Sequence, residues 1–86
     1  MMTEAVILID PATATVEKRN IAFSAIVDDG TWKFSVSIAD FQRFGVDNAK
    51  LDPVGSVAAI SANLESLIQV KARKNELLPT TRLAPL

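Results

Sequence analysis

The sequence predicts a single α+β domain. It has an antiparallel sheet of about three strands built on a central hairpin (20–38), with a short helix (38–44) and a long helix (53–75) packed on one face. Three observations carry this prediction. Residues 20–38, NIAFSAIVDDGTWKFSVSI, are two alternating runs around Asp-Gly, and that dipeptide between alternating runs is a strong hairpin signal. Asp52-Pro53 opens a stretch whose apolar residues recur at helical spacing. Residues 5–9, AVILI, form a short apolar run with β-branched residues, which favours a strand over a helix.

Along the chain, AVILI is apolar on both faces of the expected strand. It is therefore either covered on both sides or paired with another chain. Pro11 ends it, because Pro donates no ladder hydrogen bond. Residues 11–19, PATATVEKR, support two readings. The alternation of Thr13, Thr15 and Glu17 with Ala14 and Val16 permits a weak strand followed by a turn; a solvated connection fits equally well.

In the hairpin, a type I′ turn at Asp29-Gly30 sets the register. Val27 then faces Trp32, Ala25 faces Phe34, Phe23 faces Val36 and Ile21 faces Ile38, so one face is entirely apolar. The other face pairs Ile26, Ser24 and Ala22 with Lys33, Ser35 and Ser37. A slip of one residue would mix the two faces. The alternation puts Trp32 and Phe34 in the core, although a Trp beside a turn also suits stacking on a base or sugar. Asp28-Asp29 is turn chemistry, with no third metal ligand nearby.

Ser37 followed by Asp40 resembles a capping box and starts the short helix. Phe41 and Phe44 lie on its inner face, and Gly45 ends it. Asp52 is the N-cap of the long helix and Pro53 its first residue. Running to about Asn75, this helix would be on the order of 34 Å long, against about 27 Å for an eight-residue strand, so its end would project. Its apolar arc, from Val54 through Val57, Ile60, Leu64, Leu67 and Ile68 to Ala72, spans about 180° of the wheel. That is wider than one sheet face needs and leaves a flank for a second copy of the chain. Residues 1–76 read as the domain. Residues 77–86, LLPTTRLAPL, read as a tail with two prolines and no periodicity, parts of which could dock through their leucines.

Composition narrows the function. The 86 residues suit one domain, and 49% of them are apolar, enough for a modest core. There is no Cys, which excludes disulfides and thiolate metal sites and points to a reducing compartment. The first residues lack the basic region and apolar length of a signal peptide, and no stretch reaches the length of a membrane span. A cytoplasmic protein is expected. Net charge is −1, so no bulk field draws in nucleic acid or anionic membrane. The charge is unevenly spread: residues 1–69 carry nine acids and five bases, whereas residues 70–86 carry Lys71, Arg73, Lys74 and Arg82 against Glu76 alone. Such cations suit a helix C-terminus and also form a small candidate patch for an acidic partner.

His, Cys and Tyr are all absent. The usual general base, the thiolate nucleophile and the commonest metal ligand are therefore missing. A carboxylate pair remains chemically open, with Asp10, Asp28, Asp29, Asp40, Asp47, Asp52 and Glu65 as candidates, most of them explained as turn or cap residues. No glycine-rich phosphate loop or metalloprotease motif is present. No enzyme activity, metal or cofactor is expected.

VEKRNIAFSAIVDDGTWKFSVSIADF and LDPVGSVAAISANLESLIQVKARK together resemble the short bacterial proteins grouped as domain of unknown function 1488. The likeness lies in a hairpin running into a short helix and then an Asp-Pro-opened long helix. It covers about two-thirds of the chain and rests on Phe23, Gly30, Ser37, Asp52 and Pro53. It implies this fold in a bacterial, cytoplasmic setting and assigns no site residues. The leading expectation is a non-enzymatic protein acting by protein–protein contact, as a homodimer with a further protein partner, through Trp32, Leu67, Lys71, Arg73 and Lys74. The alternative is a nucleic-acid-associated regulator using the basic end of the long helix. A small-ligand pocket lined by Trp32, Phe34 and Phe41 is a third reading.

Overall fold

Residues 20–38 do form the central hairpin, as β2 (Asn20–Val27) and β3 (Gly30–Ser37), but the turn lies one residue earlier than Asp-Gly predicts. The computed structural model describes residues 4–84, and in it the two loop residues are Asp28 and Asp29. Val27 pairs with Gly30, Ala25 with Trp32, Phe23 with Phe34 and Ile21 with Val36. Asp28 takes the positive φ, 55°, which Asp tolerates better than most residues. Gly30 leaves room for Trp32: a Cβ there would lie 3.0 Å from the Trp32 indole nitrogen, so the ring would have to shift. Relative to the expected register each strand partner moves by two residues, so both faces keep their membership. Phe23 and Phe34 become direct neighbours, with ring centroids 5.8 Å apart and stacked at 28°. Both are fully buried.

A third strand, β1 (Ile7–Glu17), continues straight through Pro11. It pairs antiparallel with β2 in two segments, Ile7–Asp10 against Val27–Ser24 and Thr15–Glu17 against Ala22–Asn20. Between them four residues of β1, 11–14, stand opposite Phe23 alone. The odd excess reverses which side chains face inward. Ile7 and Ile9 point to the core before the bulge; buried Ala14 does so after it. This bulge accommodates Pro11 and hides the alternation from a simple pattern search. Side chains hold it together. Asp10 Oδ1 accepts from Ala12 N at 3.2 Å, and Thr13 Oγ1 donates to Asp10 O at 2.7 Å while accepting from Ser24 N at 2.8 Å. The weak-strand reading of 11–19 is thus the observed one.

Ser37 ends β3 and caps α1 (Ile38–Arg43), its Oγ accepting from Asp40 N at 3.1 Å. Phe41 is buried, and Gly45 adopts φ 84° just beyond the helix. Asp52 caps the next helix by accepting from Gly55 N at 3.0 Å. The expected single helix over 53–75 is two, α2 (Pro53–Ala59) and α3 (Ser61–Arg73). Ile60 departs from helical geometry at φ −114°, ψ 23°. Ser61 Oγ donates to the carbonyls of Val57 and Ala58, at 3.0 and 3.1 Å, a back-bonding habit that bends helices. The thirteen residues of α3 span about 20 Å, so neither helix outruns the sheet. Val57, Ile60, Leu64 and Ile68 are buried, while Val54 is exposed and Leu67 half-buried. The buried stripe is narrower than the 180° arc.

The segment expected as a tail supplies a fourth strand, β4 (Thr80–Leu83), parallel to β3 with Phe34 opposite Thr81 and Val36 opposite Leu83. Thr81 and Leu83 face inward and are buried. Four residues between two prolines are too few to show a period. The sheet order is β1-β2-β3-β4, and α1, α2 and α3 supply buried residues to one core with its inner face. Fully burying residues such as Phe23, Phe34, Ile21 and Leu64 contributes about 1.5–3 kcal/mol each.

Two substitutions test this arrangement. Leu83→Ala should cost about 2–5 kcal/mol in urea unfolding, because Leu83 is in the core; a value near zero would mean a free tail. Thr13→Val should cost about 1 kcal/mol by unpairing Ser24 N–H and Asp10 O, and Thr13→Ser should recover most of it.

Candidate functional site

The helices occupy one face of the sheet. Its outer face carries Val6, Leu8 and Asp10 from the first strand region and Ala22, Ser24 and Ile26 from β2. Thr31, Lys33 and Ser35 come from β3, and Thr80 and Arg82 from β4. Among the described residues no helix covers this face. Val6, Leu8 and Ile26 are 63%, 60% and 43% exposed. Leu8 is directly opposite Ile26. Val6 lies beside Asp28, its N–H donating to Asp28 Oδ1 at 3.0 Å and its carbonyl accepting from Asp28 N at 2.8 Å. The three side chains therefore form one apolar patch near the β2–β3 turn. A shallow cleft of about 400 Å³ adjoins it, with Leu8, Asp10, Thr13, Ser24, Ile26 and Thr31 in its walls. Lys33, opposite Ser24 in the middle of the face, reaches toward the Asn20 end to pair with Glu17 at 3.1 Å.

The residues singled out from the sequence divide among different places. Trp32 is half-buried on the inner face near the turn. Leu67, Lys71 and Lys74 share a cleft of about 230 Å³ with Val70, Arg82 and Leu83, between the end of α3 and β4. Arg73 lines a separate cleft with Glu4 and Glu65. Trp32 opposes Ala25, whereas Leu83, which lines the cleft with Lys71 and Lys74, opposes Val36. Four residues of strand separate Trp32 from Val36, about 13 Å. The fold thus does not combine a Trp platform with the basic helix end. None of the four clefts described here is lined by Trp32, Phe34 and Phe41 together.

The basic helix end is partly neutralised. Lys71 pairs with Glu76 at 3.4 Å and Arg73 with Glu4 at 2.5 Å. The second pair joins the start of the chain to α3, and Gln69 joins it too, its Oε1 accepting from Ala5 N at 3.2 Å and its Nε2 donating to Ala5 O at 2.5 Å. Both ion pairs are open to solvent, the Lys71 pair less so than the Arg73 pair, so each adds at most about 1 kcal/mol.

The carboxylates considered for acid–base work hold backbone instead. Asp10 supports the bulge, Asp28 binds Val6 N and Asp52 caps α2, while Asp40 faces Arg43 at 3.9 Å. No three acidic groups converge among the described residues. No helix among them is long and apolar enough to cross a membrane. The chain matches no protein-family model, no curated protein and no solved structure.

The outer-face patch was hidden in the sequence because AVILI shows the same apolar character on both faces. Only the pairing with β2 separates Val6 and Leu8 from Ile7 and Ile9. The placement of Trp32 is directly testable. Gly30→Ala should push the indole outward and red-shift its fluorescence at a cost of about 1 kcal/mol. Unchanged emission would mean that Gly30 does not confine the ring.

Proposed function

We propose that this protein is a non-enzymatic interaction module that self-associates through the open face of its sheet. The observation that carries this reading is the exposure of Val6, Leu8 and Ile26 together on a face with no helix over it. A contiguous exposed apolar patch marks an interaction surface more often than scattered single residues do. The flat surroundings, with the small residues Ser24 and Ser35 alongside, suit face-to-face packing of two sheets about 10 Å apart. Edge-to-edge pairing through β1 is disfavoured by its bulge and by Pro11. The absence of His, Cys and Tyr, and the structural employment of most candidate carboxylates, support a role without catalysis. The missing cysteines and the resemblance to the bacterial family grouped as domain of unknown function 1488 support a bacterial cytoplasmic setting.

Sedimentation equilibrium at about 1–100 μM covers the usual range of specific association. The wild-type chain should be a reversible dimer. Leu8→Lys and Ile26→Lys should be monomeric with unchanged circular dichroism, because both positions are exposed. A wild-type chain that is monomeric throughout, or lysine variants that dimerise as well as wild type, would contradict this reading.

A further inference from the structure

The ion pairs sort the nine cations into two groups. Lys33, Arg43, Lys71 and Arg73 each have a carboxylate partner. Among the described residues the other five, Lys18, Arg19, Lys50, Lys74 and Arg82, have none, and all five line two clefts that share Arg82. The larger cleft, about 660 Å³, is lined by Lys18, Arg19, Lys50 and Arg82 with neutral polar residues such as Gln42, and by no carboxylate. These cations come from different parts of the chain: the β1–β2 turn, the connection between α1 and α2, and β4. Sequence alone could not group them, and a net charge of −1 argued against any such surface.

We propose that this end of the sheet binds the phosphate backbone of a nucleic-acid strand. Charge complementarity selects the ligand class. Four unpaired cations in a groove free of carboxylates form a local positive field that the whole-chain charge conceals. Their spread selects a run of phosphates over a single one. Arg82 stands opposite Ser35 and Asn20 opposite Ser37, on the two sides of β3, which separates their backbones by about 10 Å. The cleft has no aromatic lining, so contact is to phosphate rather than to stacked bases, and binding is indifferent to sequence. A lipid surface fits less well: membrane-surface helices leave an apolar face free, whereas here Val57, Ile60, Leu64 and Ile68 are buried. This site is distinct from the apolar patch, which lies toward the other end of β2.

Fluorescence anisotropy with the full chain and a labelled single-stranded RNA of about 20 nucleotides tests this. Binding should be measurable at about 50 mM NaCl and should weaken with salt at a log–log slope of about −3, the value for four phosphate contacts. The quadruple variant Lys18→Asn, Arg19→Gln, Lys50→Gln, Arg82→Gln should lose at least about tenfold in affinity and most of that slope. Lys33→Gln and Arg43→Gln remove cations that already have partners and should change little. All six positions are exposed, so circular dichroism should be unaffected. Absence of binding at low salt, or an equal loss in the two control variants, would overturn the proposal. So would preference for phosphatidylserine vesicles or poly-glutamate over RNA through these same residues, because the ligand would then be a lipid or an acidic protein.

Discussion

The stacked contact between Phe23 and Phe34 is the constraint on which the rest of the molecule depends. It sits at the middle of the β2–β3 ladder, both rings are buried, and it belongs to the same core as Phe41, Val57, Leu64, Ile68 and Leu83. An aromatic pair contributes about 0.5–1.5 kcal/mol beyond its buried area. Its larger consequence is positional. Once Phe23 opposes Phe34, Ala25 must oppose Trp32 and Val27 must oppose Gly30, so the turn falls on Asp28-Asp29. The inner face is then committed to the helices, and the outer face follows by alternation.

That outer face, together with the sheet's ends, is where the fold meets the outside. The β2–β3 turn end carries Asp28 and Asp29 beside the apolar side chains of Val6, Leu8 and Ile26. The other end collects Lys18, Arg19, Lys50 and Arg82. Six residues of β2 separate Ile26 from Asn20, about 20 Å, so the apolar patch and the basic cleft are separate surfaces. Four of the cations that have no carboxylate partner among the described residues are in this way gathered into one cleft of a near-neutral chain.

The legible parts of the sequence were those encoded locally. The hairpin, the Ser37 and Asp52 caps, the role of Gly45 and the assignment of Phe41 to the core each depend on a few neighbouring residues. The structure departs from the local signals where a tertiary requirement overrides them. Asp-Gly suggested a turn at positions 29–30, but Gly30 makes room for Trp32 and Asp28 supplies the positive φ. Pro11 suggested the end of a strand, but a bulge stitched by Asp10 and Thr13 carries β1 past it and reverses its faces. The Pro53–Asn75 stretch read as one helix because Ile60 and Ser61 are ordinary helix residues by pattern, and the back-bonding of Ser61 is visible only in three dimensions. Thr80–Leu83 joins the sheet because Thr81 and Leu83 find Phe34 and Val36, some 47 positions earlier in the chain. The basic cleft was out of reach for the same reason: Lys18-Arg19, Lys50 and Arg82 come from three distant parts of the chain and meet only in the fold.

The central claim is the register of the hairpin, and cross-strand nuclear Overhauser effects report it most directly. The account predicts backbone contacts linking Phe23 with Phe34 and Ala25 with Trp32, together with contacts from Val36 to Leu83 across the parallel pair. Contacts linking Ala25 with Phe34 and Val27 with Trp32 would place the turn on Asp29-Gly30 and contradict it.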